Sequence, residues 1–252
     1  MTDAGANSTL KVSTVGWLDA EETWTPSETI ETGSFLFHIT GDKTGKYSAG
    51  MKVKFTQTTV RYFIITKVDY VGPHTEVLMY GGTNYNMAYP DAISANYYSS
   101  QKAPFGFPLE PDKWTVQASL TADAEQLSPS GTVWYNLGSF FLRVPIGSWN
   151  LSYQAVGRIT KPASVNLHYR ATLSKVNNAS DDNELTTTSF MEVTTYAVTM
   201  YAFLARHKYV TCTTGTTYYL LALTTTPSAT SIRFRGGASY GDSIIRAVCA
   251  YL

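Results

Sequence analysis

At 252 residues the chain has room for one large or two modest cores, and Lys plus Arg balance Asp plus Glu at 19 each. With no net charge there is no field to steer nucleic acid or an acidic membrane surface. Only 15% of residues are charged and 13% are aromatic, the composition of an all-β protein whose surface is largely covered in an assembly.

The opening MTDAGANSTLKVSTV lacks a basic start followed by an apolar core, so no signal peptide is expected. No apolar run approaches the ~18 residues of a membrane helix, so no membrane insertion is expected. Two cysteines, Cys212 and Cys249, make no disulfide framework. They are expected as buried thiols after folding in a reducing cytoplasm.

In chain order, residues 1–23 read as an N-terminal arm, its first part small and polar, either frayed or ordered on a neighbouring subunit. Trp17 and Trp24 bracket Asp19, Glu21 and Glu22 and suit a core edge or an interface anchor. Gly33–Thr40 alternates Phe35, Phe37 and Ile39 against Leu36, His38 and Thr40, and is expected as the first strand of a small domain. Val53, Phe55, Thr58 and Val60, then Tyr62, Ile64, Thr66 and Val68, continue the two-residue period. Gly41-Asp42, Gly45, Gly50, Gly72-Pro73 and Gly81-Gly82 punctuate these runs at turn spacing. The pattern predicts a small barrel or meander, with a short helical turn at Pro90–Tyr98, a strand at Thr115–Leu120 and a connector. The boundary is expected near Ser128–Gly131, giving a small β attachment domain over 24–128 and a C-terminal domain over 132–252.

The second block carries the stronger strand signal. Phe140–Val144 ends at Pro145, and Leu151, Tyr153 and Ala155 alternate with Asn150, Ser152 and Gln154. Val165, Leu167, Tyr169, Ala171 and Leu173 alternate with Asn166, His168, Arg170 and Thr172. Extended runs come next at Thr186–Ala205, Val210–Cys212, Thr217–Thr224, Ser231–Arg235 and Ile244–Leu252, after a polar loop tip at Asn177–Asn183. Turns every ~8–12 residues predict an all-β, jelly-roll-like β-sandwich.

The order GDKTGKYSAGMKVKFTQTTVRYFIITKV, YGGTNYNMA, YYS and APFGFP…W, over Trp24 to Val116, resembles a small β domain of virion structural proteins in tailed bacteriophages, especially at the tail tip and baseplate. FFLRVPIGSWNLSYQA resembles the opening of trimeric jelly-roll fibre heads and of the tumour-necrosis-factor-like superfamily. The resemblance implies a virion part, assembled in the bacterial host cytoplasm as a homotrimer with other virion structural proteins. It further implies attachment at the host surface, with host cell-wall polysaccharide as a candidate partner. A capsid-associated head fibre or decoration protein is the alternative, and a carbohydrate-active tail depolymerase a third reading.

The motifs that carry chemistry are weak. Gly237-Ala238-Ser239-Tyr240-Gly241 matches a nucleophile elbow, but the adjoining Asp242–Arg246 reads as strand and no histidine lies beyond His207. Gly41–Lys46 has one residue too few for a phosphate loop and Tyr47 where magnesium needs a hydroxyl, so a hairpin turn is expected. His38, His74, His168 and His207 have no metal-ligand spacing in sequence; a ring of one histidine about a three-fold axis is the arrangement in which an ion would bind. Asp181, Asp182 and Glu184 read as a solvated tip without the pattern of a calcium loop. Arg206–Tyr209 reads as a polar loop, too narrow for nucleic acid. No catalytic, cofactor or metal residue is assigned, and the chain is expected not to be an enzyme.

Overall fold

The structure, a computed structural model, describes residues 15–82, 87–89, 91–162, 166–192, 198–226, 228–237 and 241–252. It is all-β and divides into two units, one of residues 1–113 with Tyr251–Leu252 and one of Trp114–Ala250. The first unit holds β1 (Leu18–Asp19), β2 (Trp24–Glu31), β3 (Ser34–Thr40), β4 (Lys52–Gln57), β5 (Thr59–Val71), β6 (His74–Tyr80) and β7 (Ser94–Ser99). The second holds β8 (Thr115–Ser119), β9 (Ala124–Leu127), β10 (Phe141–Val144), β11 (Gly147–Thr160) and β12 (Leu167–Ser174). It continues with β13 (Thr187–Met191), β14 (Thr199–Cys212), β15 (Thr216–Thr224), β16 (Ser231–Phe234) and β17 (Ile244–Cys249).

In the first unit the seven strands form one antiparallel sheet in the order β1-β7-β4-β5-β6-β3-β2. The predicted alternation of β3 is correct: Phe35, Phe37 and Ile39 are buried, while Leu36 and His38 are half-buried and Thr40 exposed. The sheet curls so far that Trp24 on edge strand β2 meets Phe55 on β4, ring centroids 6.4 Å apart, across three intervening strands. Edge-to-face and offset aromatic contacts of this kind add to the burial of Phe37, Phe55 and Phe63. The sheet stays open, with β1 and β2 as its edges, so of the expected barrel or meander the barrel does not form, while β4-β5-β6 runs as a meander.

Two local devices set the register. Thr58 takes φ 61° in the one-residue turn between β4 and β5, so the alternation cannot run through it unchanged. A bulge between Ile65 and Lys67 then shifts the inward set from Phe63 and Ile65 to Val68. The other face of β5 is covered as well: Tyr62 packs on Trp17 and Phe107. Trp17 and Trp24 are 3% and 2% exposed, so both belong to the interior of their unit.

In the second unit a four-stranded sheet, β10-β15-β12-β13, packs on a six-stranded one, β8-β17-β11-β16-β9 with β14 paired to β11. The result is a sandwich. Trp149, Leu151, Tyr153, Ala155 and Ile159 project inward from β11, and Leu167, Tyr169, Ala171 and Leu173 from β12. Two tyrosines tie the layers: Tyr153 donates to the Ala171 carbonyl and Tyr169 to the Arg233 carbonyl, each at 3.0 Å.

Several expectations give way to the pairing. The boundary lies between Lys113 and Trp114, not at Ser128–Gly131, because β8 pairs β17 and β9 pairs β16. The stretch read as a connector contains β9. Gly33–Thr40 is preceded by β2, which tolerates Pro26 as an edge strand with a bulge beside it. Ser94–Ser99 is a strand between β1 and β4 where a helical turn was expected, Pro90 itself lying outside the described residues. Gly41–Lys46 is no hairpin, since β3 pairs β2 and β6 and not β4. Arg206–Tyr209 lies within continuous β14, held by β11 along its whole length. The last strand stops at Cys249, and Tyr251–Leu252 counts with the first unit, where the Tyr251 carbonyl accepts from buried Lys52 at 2.7 Å. Residues 1–14 of the expected arm and Val165 lie outside the described residues. Cys212 and Cys249 are buried thiols.

Candidate functional site

The motifs singled out in the sequence are occupied by structural bonds. In the Gly41–Lys46 turn, Asp42 accepts from the backbone and hydroxyl of Thr44. Lys46 Nζ lies 2.8 Å from Glu22 Oε2 and 2.6 Å from the Ala20 carbonyl, and Tyr47 donates to the same carboxylate at 2.9 Å. Burial opposes ionisation of Glu22, but Lys46, Tyr47 and Lys43 outweigh it and hold its carboxyl below the ordinary range. A lysine committed in this way has no phosphate to meet.

At the acidic tip, Asp182 caps a short 3-10 turn, Asn183–Leu185, by accepting from the Glu184 N–H. Lys208 of β14 bridges Asp182 and Glu184 at 2.6 and 2.7 Å. Burial raises the Asp182 carboxyl; Lys208 and the turn's N–H groups more than reverse this. The tip is therefore a clamp onto β14 and not a loose solvated loop. Asp242 accepts from the Gly237 N–H at 2.6 Å and strand β17 comes next, as expected of a turn and not of a nucleophile elbow; residues 238–240 lie outside the described residues.

Among the described residues, two places hold unspent chemistry. The first is the outer face of the six-stranded sheet. β14 pairs β11 across Gly147–Thr160, and no ladder joins its other side among the described residues. The two-residue period turns Met200, Ala202 and Leu204 inward and leaves Tyr201, Phe203 and Tyr209 outward, 49%, 66% and 73% exposed. Beside them a shallow depression is lined by Ser152, Gln154, Phe203, Ala205, Ile244 and Arg246. Arg246 is oriented by Gln117, its Nε donating at 2.8 Å, and Arg158 lies over the Tyr201 ring. Apolar rings among amide, hydroxyl and guanidinium groups form a surface suited to binding.

The second is at one end of β3 and β6. The register sets His38 opposite Glu76 and Thr40 opposite His74. Because His74 and Glu76 are two apart, all three side chains leave the same face, away from buried Phe37, Ile39, Thr75 and Val77. The imidazole rings stack with centroids 3.9 Å apart, and each Nε2 stands 3.7 Å from Glu76 Oε1. Thr75, between the two β6 ligands, anchors the strand end by accepting from the Lys43 N–H and donating to the Gly41 carbonyl, both at 2.7 Å. Sequence spacing hides this group, since 36 positions of chain separate His38 from His74 by number alone. The one readable signal is the i, i+2 pair His74 and Glu76. His168 and His207 lie elsewhere: His168 packs on Phe190, and His207 sits on outer-facing β14.

No family model and no curated protein matches the chain.

Proposed function

We propose that this chain is a non-enzymatic structural protein of a tailed-phage virion, acting in tail-tip, baseplate or fibre assembly and in attachment to the host surface. The observation that carries the contact role is the row Tyr201, Phe203 and Tyr209, exposed on an edge strand. Rings of this kind stack on sugar faces at small entropic cost, and Ser152, Gln154 and Arg246 add hydrogen-bonding groups beside them. The stretch that resembles virion proteins falls almost wholly in the first unit, which takes the anchoring role. The second unit takes the outward role and self-association into a homotrimer.

The test is made on assembled particles. Phe203→Ala with Tyr209→Ala is expected to leave particle yield unchanged and to lower adsorption to host cells by at least ~10-fold, as loss of aromatic anchors does at other interfaces. Absence of the chain from purified particles by mass spectrometry would overturn the virion assignment. Unchanged adsorption of the double variant would overturn the role of this face.

A further inference from the structure

We propose that His38, His74 and Glu76 bind a divalent transition-metal ion of the zinc class. Two imidazoles and one carboxylate are the donor set that such ions take, and that hard, oxygen-seeking magnesium or calcium do not favour. The three ligand atoms lie within 4.8 Å of one another. In a tetrahedral site with metal–ligand bonds of ~2.0–2.2 Å, ligand atoms sit roughly 3.4 Å apart. The two distances of 3.7 Å to Glu76 Oε1 are thus close to the required separation, and small side-chain rotations bring all three ligands onto one ion.

Among the described residues no hydrogen bond at His38 Nε2 accounts for the arrangement. His38 Nε2 is shielded from solvent and makes no hydrogen bond among the described residues, and 3.7 Å is too long for one to the carboxylate. Neighbouring Asp69, opposite Glu76 on β5, is taken by Lys67 at 2.6 Å, so the trio is not part of a wider acidic patch. The ligands come from two adjacent strands whose register is set by seven cross-strand pairs, which is the rigid support a metal site needs. Three protein ligands leave one position for water or for a group from a neighbouring molecule. A bound ion ties the end of β3 to the end of β6.

The full chain, stripped with a chelator and dialysed, is titrated with zinc chloride by calorimetry, with bound metal counted by atomic emission. One equivalent per chain is expected, unaffected by millimolar magnesium, together with a higher unfolding temperature of the loaded protein. His38→Ala, His74→Ala and Glu76→Gln each lower the affinity by at least ~10-fold, the scale seen when even an outer support of a metal ligand is lost. His168→Ala and His207→Ala leave it unchanged. In the unaltered protein, zinc protects His74, but not His207, from diethyl pyrocarbonate, which reads the site without any variant. No bound metal at about tenfold molar excess of zinc overturns the site. So does loss of binding in His168→Ala or His207→Ala with retention in His38→Ala, or equal modification of His74 with and without zinc.

Discussion

The ring of Tyr169 on β12 lies directly against Gly157 on β11, so close that a Cβ at position 157 would stand 2.7 Å from Tyr169 Cζ. Tyr169 is wholly buried, its ring meets Phe234 edge-on at 6.3 Å, and its hydroxyl reaches the Arg233 carbonyl. The glycine therefore sets the spacing of the two layers. Gly157→Ala forces ring or strand to move and is expected to lower the stability of the second unit by about 2 kcal/mol. Gly131→Ala, where the nearest atoms are 3.8 Å away, is the matched control and should change little. Urea unfolding followed by tryptophan fluorescence distinguishes them.

Glu22 joins Lys46, Tyr47 and Lys43 in the first unit. Its folded pKa lies below the ordinary 4.5, so its contribution is present above the unfolded value and is lost as pH falls through the lower folded one. Glu22→Gln is expected to lower stability at pH 7 by about 1–2 kcal/mol and to flatten the acid limb below pH 4.5. Unfolding midpoints measured from about pH 3 to 7 check both.

Lys113 is also lowered, but by burial and not by pairing. Burial lowers its ammonium to about 8 from 10.5, against the pull of Glu110, and Nζ donates to the Gly81 carbonyl. Between these values the unfolded chain holds more protons at this site than the folded one, so stability from this group rises with pH. The first unit is expected to gain stability from about pH 8 to 10, and Lys113→Met to lose that rise. Thermal unfolding at fixed ionic strength across the window decides it.

Cys212 and Cys249 are 4% and 3% exposed. Alkylation of the native protein is expected to be slow at both, and alkylation in denaturant without reductant to label both completely. Incomplete labelling in denaturant, read by mass spectrometry, contradicts this.

The boundary at Lys113–Trp114 makes a prediction about fragments. A chain of residues 114–252 keeps β8 on β17 and β9 on β16, and is expected to be monodisperse. A chain of residues 132–252 leaves the edges of β16 and β17 unpaired and is expected to aggregate. Size-exclusion chromatography with light scattering tests the pair. The same measurement on the full chain reads the proposed trimer, and a monomer of 27.7 kDa contradicts it.

The two-residue alternation in the sequence was enough for the all-β class and for most strands, because burial on one face of a pleat leaves its period in the chain. Phe35, Phe37 and Ile39 face inward as their spacing requires, and so do Leu151, Tyr153 and Ala155. Gly45, Gly50 and Gly72-Pro73 lie in turns as expected, but the glycines did not mark which strands pair: Gly41–Lys46 joins strands that are not neighbours. Pairing decided the rest. β9 is too short and too exposed to leave a period, and it is a strand through its ladder to β16, beside which Glu125 and Asp123 meet Arg233 at 2.6 and 3.0 Å. The boundary moved for the same reason, since strand partners distant in sequence and not local composition determine which unit a segment joins. Of the histidine site only the i, i+2 pair His74 and Glu76 was legible in the spacing. Its ligands converge only through the β3–β6 register, a long-range relationship that no local period encodes.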